Sequence, residues 1–201
     1  MGLELPAGLT LYFARHGQTE ANVRKQFSGY KDTPLTELGL KQAAQVGHIL
    51  KRELGTADGY HFVCSPLARA MTTMKIARRE MGLPEDGFAT DNRLKEINLG
   101  VWDQLTDAEA RAQSPVLFEQ RGNDKWHVRV PGGENYAEVA ARVTDWLREL
   151  KTDTVAISHG ATTRILRGLL AGLDWRAMSA LDEPQGVVFR VSGATVVRLD
   201  P

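Results

Sequence analysis

The chain has 201 residues, with 25 Lys plus Arg against 25 Asp plus Glu, a formal net charge of zero, and 42% apolar residues. That length suits one core with an elaborated cap, and the charge balance gives no support to a nucleic-acid partner, which would want a basic surface. A single cysteine, Cys64, excludes an internal disulfide.

No apolar run approaches the ~20 residues that cross a bilayer. The start, Met1-Gly2-Leu3-Glu4-Leu5-Pro6, lacks the basic and apolar regions of a signal peptide. A cytoplasmic protein with no membrane partner is therefore expected.

In chain order, Leu9 to Ala14 is a continuous apolar run of the kind found in buried parallel strands. It stops at Arg15-His16-Gly17. From Thr36, a suitable N-cap, to Leu54, small or apolar residues at Leu40, Ala43, Gly47, Leu50 and Leu54 fall at helical spacing. Phe62-Val63-Cys64 reads as a short strand, and Ser65-Pro66 as the opening of a helix with proline in its first turn.

Between Leu83 and Gly133 the pattern is poorer and punctuated by Pro84, Gly87, Gly100, Pro115, Gly122 and Pro131. This is expected to be an excursion over the sheet, within which Thr106-Asp107-Ala108-Glu109 has capping-box spacing. Tyr136, Val139, Ala140, Val143, Leu147 and Leu150 make the clearest amphipathic stripe. Thr154 to Ile157 is another buried strand, ending in Ser158-His159-Gly160, and a helix begins near Thr162. Val187–Val191 and Ala194–Leu199 read as two strands joined around Ser192-Gly193.

Strands alternating with helices predict an α/β three-layer sandwich: a mostly parallel central sheet flanked by helices, plus a cap-like excursion. Residues 1–201 are expected to form a single domain, with about 83–133 inserted near the site. Three strands end in polar clusters, at Arg15-His16-Gly17, at Ser65-Pro66-Leu67-Ala68-Arg69 and at Ser158-His159-Gly160. Ligands of open α/β sheets bind outside the carboxyl ends of the strands. If the strands are parallel neighbours, two histidines and two arginines meet there, and the arginine fork matches phosphate oxygens. Helix N-termini after Ser65 and Gly160 would add N–H groups. Each cluster taken alone also reads as an ordinary turn or helix start.

Together the blocks resemble the histidine phosphatase superfamily, the group that includes cofactor-dependent phosphoglycerate mutases. The resemblance rests on Phe13-Ala14-Arg15-His16-Gly17-Gln18-Thr19-Glu20-Ala21-Asn22, Asp32-Thr33-Pro34-Leu35-Thr36-Glu37-Leu38-Gly39 and Ser65 to Ala70. It continues in Arg93-Leu94-Lys95-Glu96-Ile97 with Gly100 and Trp102, in Pro131 to Glu134 and in Ser158-His159-Gly160.

It implies that His16 is the nucleophile, in neutral form, and that Arg15, Arg69 and His159 bind the phosphoryl oxygens, with Asn22 and Gly160 adding contacts. Glu96 would be the general acid and then the base that activates water. No metal and no cofactor are implied, because arginines supply the positive charge. The substrate would be a small phosphorylated metabolite, hydrolysed by a phosphatase. The alternatives are phosphoglycerate mutase-type transfer or a non-catalytic domain that binds a phospholigand. The glycolytic mutases of the family are longer and carry a proline-rich stretch not found here, which favours hydrolysis.

Asp103-Gln104 stands where the family often has Glu-Gly, Asn135 where Ser often follows Gly-Gly-Glu, and Ala161 where Gly is frequent. His48, His61 and His127 lack ligand-type spacing, and Cys64 reads as packing. Glu134 is open between a helix-terminus charge and a residue that orders the pocket. Trp102, Phe118, Arg121 and Trp126 are candidate lining residues.

Overall fold

The computed structural model describes residues 3–201, so the expectation drawn from Met1 and Gly2 lies outside the described residues. The strands are β1 Thr10–Arg15, β2 His61–Cys64, β3 Ala89–Thr90, β4 Thr154–Ser158, β5 Val188–Ser192 and β6 Thr195–Leu199. They form one sheet in the order β3-β2-β4-β1-β5-β6. The first four are mutually parallel, and the β5–β6 hairpin is added antiparallel to β1. The helices are α1 Glu20–Val23, α2 Glu37–Leu54, α3 Ala68–Met81, α4 Asp107–Gln113, α5 Pro115–Asn123, α6 Tyr136–Arg148, α7 Gly160–Leu170 and α8 Trp175–Ala180.

The two-residue period of β1 divides the core. Leu11 and Phe13 face one side with Val143, Trp146, Ile165 and Leu166 of α6 and α7. Tyr12 and Ala14 face the other with Val46, Ile49, Leu50, Met74 and Ala77 of α2 and α3. This is the expected three-layer arrangement. Full burial of an aliphatic side chain contributes roughly 1.5–3 kcal/mol, so both faces resist polar substitution. Under α4 and α5, Trp102, Ala110 and Val130 form a smaller cluster against Phe27 and Phe118. Among the described residues, no helix is long and apolar enough to cross a membrane.

Several boundaries differ from expectation. β1 runs one residue further, to Arg15, because Arg15 still pairs with Ser158 of β4. α3 starts at Ala68 rather than at Pro66; the Ser65 hydroxyl accepts from Leu67 N–H, and Asp32 accepts from Ala68 N–H at 2.7 Å. α7 begins at Gly160, before Thr162. In α2, Leu40 points to solvent, while Val46 and Ile49 share the inner face with Ala43, Gly47 and Leu50.

Candidate active site

The parallel register puts the ends of β1, β2 and β4 on one edge. Arg15 lies beside Ser158 and Cys64 beside Ile157. His16 and Ser65 extend the ladders by donating their N–H to the carbonyls of Ser158 and Ile157. His16 and His159 therefore emerge from adjacent strands, and their rings meet with centroids 5.1 Å apart.

His16 is 2% exposed. Its Nδ1 lies 2.7 Å from the Gly17 carbonyl oxygen, which can only accept. The hydrogen is therefore on Nδ1, and Nε2 keeps its lone pair. Burial, then the charges of Arg15 and Arg69, hold the imidazole well below its ordinary pKa and keep it neutral. His159 is shifted the same way by burial, Arg69, His16 and Arg15. Neither ring nitrogen of His159 has a hydrogen-bond partner among the described residues. The turn after His16 is tight: a methyl at Gly17 would overlap the Gly39 carbonyl at the start of α2.

Arg69 is fully buried, and its guanidinium donates to Asp32 at 2.8 Å and to the carbonyls of Ser28, Gly29 and Lys31. The loop offering those carbonyls is pinned by Asp103, whose carboxylate accepts from the N–H groups of Gly29, Tyr30 and Lys31. The Asp103 departure from the family pattern thus anchors the loop around Arg69. The adjoining Gln104 has φ 78°, the left-handed region that favours glycine.

Glu96 is 8% exposed. Its carboxylate accepts from Ile97 N–H at 2.9 Å, Ala161 N–H at 3.2 Å and Thr162 N–H at 3.3 Å. Burial, then the charge of Glu183, raises its pKa against the opposing pull of the Ile97 bond and of Arg69 and Arg15. Both helix N-termini expected to serve phosphate are thus engaged by carboxylates: Asp32 caps α3, and Glu96 sits on α7. Arg142, which the sequence did not single out, donates to the carbonyls of Arg93, Lys95 and Glu96 and pairs with Glu134 at 3.0 Å. Glu134 also accepts from Asn98 N–H. Of the two readings of Glu134, these contacts fit a residue that orders the segment around Glu96.

His16, Arg15, Asn22, Glu96 and Arg121 line one cavity of about 300 Å³. Arg69 and His159 stand behind that lining. Asn22 Oδ1 is taken by Thr19 N–H and by Gln185 Nε2. The cavity also contains Lys125, Tyr136, Arg164 and Glu183, which carried no motif and were missed. Glu183 accepts from Arg15 through its carbonyl at 2.6 Å, and its carboxylate lies 3.1 Å from Arg164. A Cβ at Gly160 would come within 2.5 Å of the Glu183 carboxylate, so this glycine makes room for it.

The remaining candidates lie elsewhere. Trp102 stacks on Phe27 and packs against Phe118, as core rather than lining. Trp126 packs against the main core. His48 and His127 pair with Glu80 and Asp124 on the surface, and His61 is exposed. Cys64 is buried, which pushes its thiol up to about 12.

A profile of the histidine phosphatase superfamily (branch 1) matches residues 11–193. A 2,3-bisphosphoglycerate-dependent phosphoglycerate mutase of Methylobacterium radiotolerans is 36% identical over 202 residues, covering 93% of this chain and 92% of the relative. The mycobacterial glucosyl-3-phosphoglycerate phosphatase has a similar structure, with TM-score 0.75 and 29% identity, covering 96% of this chain and 98% of that one. A putative α-ribazole-5'-P phosphatase of Escherichia coli superposes with TM-score 0.81 over 98% of this chain and 97% of its own; at 23% identity it bears on the fold alone.

Proposed function

The chain belongs to the histidine phosphatase superfamily, and on that premise we propose that it is a phosphomonoester hydrolase acting on a small phosphorylated metabolite through a phosphohistidine on His16. In this scheme Nε2 of His16 attacks phosphorus and the bond to the leaving oxygen breaks. Glu96 gives its proton to the departing alkoxide. A water then loses a proton to Glu96 and attacks phosphorus, breaking the P–N bond and freeing inorganic phosphate and His16. Arg15 and Arg69, with His159, Asn22 and Gly160 around them, take up the charge of the equatorial oxygens. The whole chain acts as one unit, with the excursion as its cap.

The observation that carries hydrolysis over transfer is the carboxylate of Glu183 in the same cavity as His16 and Glu96. A mutase must hold a bisphosphorylated intermediate there, and each phosphate brings roughly −1.5 to −2 charges at neutral pH. A fixed carboxylate works against such a ligand. Length does not separate the two, since the relative named as a mutase is nearly as short as this chain.

Transfer is the second reading, favoured by the cationic outer wall of Arg121, Lys125 and Arg164. Neither Arg121 nor Lys125 has an ion-pair partner among the described residues. A phosphatase screen across small phosphorylated metabolites, with His16→Ala as control, tests the proposal. Phosphate release by the wild type and none by the variant is expected; no release from any substrate, with no phosphoryl adduct on His16, overturns it.

A further inference from the structure

A carboxylate in a pocket built for phosphate calls for a reason, and Glu183 is held too firmly to be incidental. Pro184 follows it and restricts its backbone to extended conformations. Its neighbour Asp182 pairs with Arg167 at 2.8 Å, its own carbonyl accepts from Arg15 at 2.6 Å, and Gln185 donates to the His16 carbonyl at 3.1 Å. Three contacts, to α7, to β1 and to His16 directly after it, therefore fix this loop beside His16, and Gly160 leaves space for the carboxylate.

We propose that Glu183 is a positioning residue: a fixed negative charge that keeps the proton on Glu96 and loosens the pocket's hold on phosphate. The substrate-bearing half of this inference rests on the hydrolase reading above.

The signs follow from what faces each carboxylate. Glu96 is faced by Arg15 from β1, Arg69 from α3 and Arg164 from α7, by Tyr136 from α6, and by Glu183 as the one opposing acid. The side chain of Arg142 meets it only through the backbone carbonyl. Glu183 in turn is faced by Arg15, Arg164, Lys125 and Tyr136. Removing its charge leaves cations alone around Glu96, so the acid releases its proton at lower pH. The same removal strips a like charge from the neighbourhood of bound phosphate, which then binds more tightly. Turnover and affinity thus move in opposite directions, a split that a purely structural residue would not produce.

The test is Glu183→Gln, with Glu183→Asp as the charge-retaining control. Inorganic phosphate binding is measured by calorimetry, and kcat/KM is followed against pH for glycerol 2-phosphate and 4-nitrophenyl phosphate. The glutamine variant is expected to bind phosphate about three- to tenfold more tightly and to shift the basic limb down by about one pH unit. It should lose about tenfold on the alkyl ester at neutral pH and much less on the aryl ester. The aspartate variant should stay near wild type on every count.

Unchanged phosphate affinity with a superimposable pH profile overturns the proposal, as does an equal loss on both esters. If glutamine prevents folding, Glu183→Ser carries the same expectations. The binding arm needs no turnover. A wild type that releases no phosphate from any ester would therefore count against the hydrolase reading, while the affinity ratio still decides the role of Glu183.

Discussion

The imidazoles of His16 and His159 meet edge to face, 5.1 Å between centroids, with two arginine charges acting on both and, among the described residues, no carboxylate hydrogen-bonded to either ring. A cationic pair there would be doubly opposed, by burial and by like charge. Two neutral rings, one anchored through Nδ1, are what the proposed scheme requires of His16 as nucleophile and His159 as a neutral donor to phosphate.

This pair sets a pH dependence of stability. Both histidines lie below their ordinary value of 6.5 when folded, so the unfolded chain takes up protons that the folded one does not. Stability is therefore lost as pH falls below about 6.5. Glu96, raised above 4.5, acts oppositely: its contribution is present below that value and is lost as pH rises through its folded pKa. The melting temperature should drop between pH 7 and pH 5, and His159→Gln should flatten the drop. An identical slope in both proteins would contradict this account.

Arg142 binds the segment that carries Glu96 at three carbonyls. Arg142→Ala should cost about 2–4 kcal/mol of unfolding free energy, read by denaturant titration, because the carbonyls and Glu134 lose their shared donor. It should also lower kcat more than it raises KM, since the segment displaced carries the proposed acid Glu96 rather than a phosphate contact.

Gln104 holds a left-handed backbone conformation where a side chain costs roughly 1 kcal/mol. Gln104→Gly should raise stability by up to about that amount, after the entropy glycine adds to the unfolded chain. Activity should be unchanged, because Gln104 does not line the cavity. A lower melting temperature would show that this conformation carries no strain.

Glu96→Gln keeps the shape and removes the proton donor of the proposed scheme. Alkyl phosphates should lose about 10²–10⁴-fold in kcat, and aryl phosphates, whose leaving groups need no proton, far less. Equal losses would remove Glu96 from the acid role.

The parallel core and the strand-end clusters were legible because β1 and β4 are short apolar runs that stop abruptly in charge. α2 and α6 were legible because their stripes and caps agree. The blocks around Arg15, His16, Arg69, Glu96 and His159 were legible through their order along the chain. Glu183, Arg164, Lys125 and Arg142 were not, because each reaches the site from a helix or loop whose local sequence is unremarkable. Nothing within a few residues of Arg142 shows that its fork closes on carbonyls 46–49 positions away. The carboxylates at the two helix N-termini were not legible for a related reason: Asp32 lies 36 residues from the N–H it caps. The boundary at Pro66 moved because Ser65 spends its hydroxyl on Leu67 N–H, holding the proline outside the helix.

The most direct test of the central claim is a balance sheet for 3-phosphoglycerate incubated with the wild-type protein and a trace of 2,3-bisphosphoglycerate. Inorganic phosphate and the 2-isomer are measured in the same sample. Hydrolysis through phosphohistidine predicts one phosphate released for each substrate consumed, with none released by His16→Ala. Rapid formation of 2-phosphoglycerate without released phosphate would contradict it.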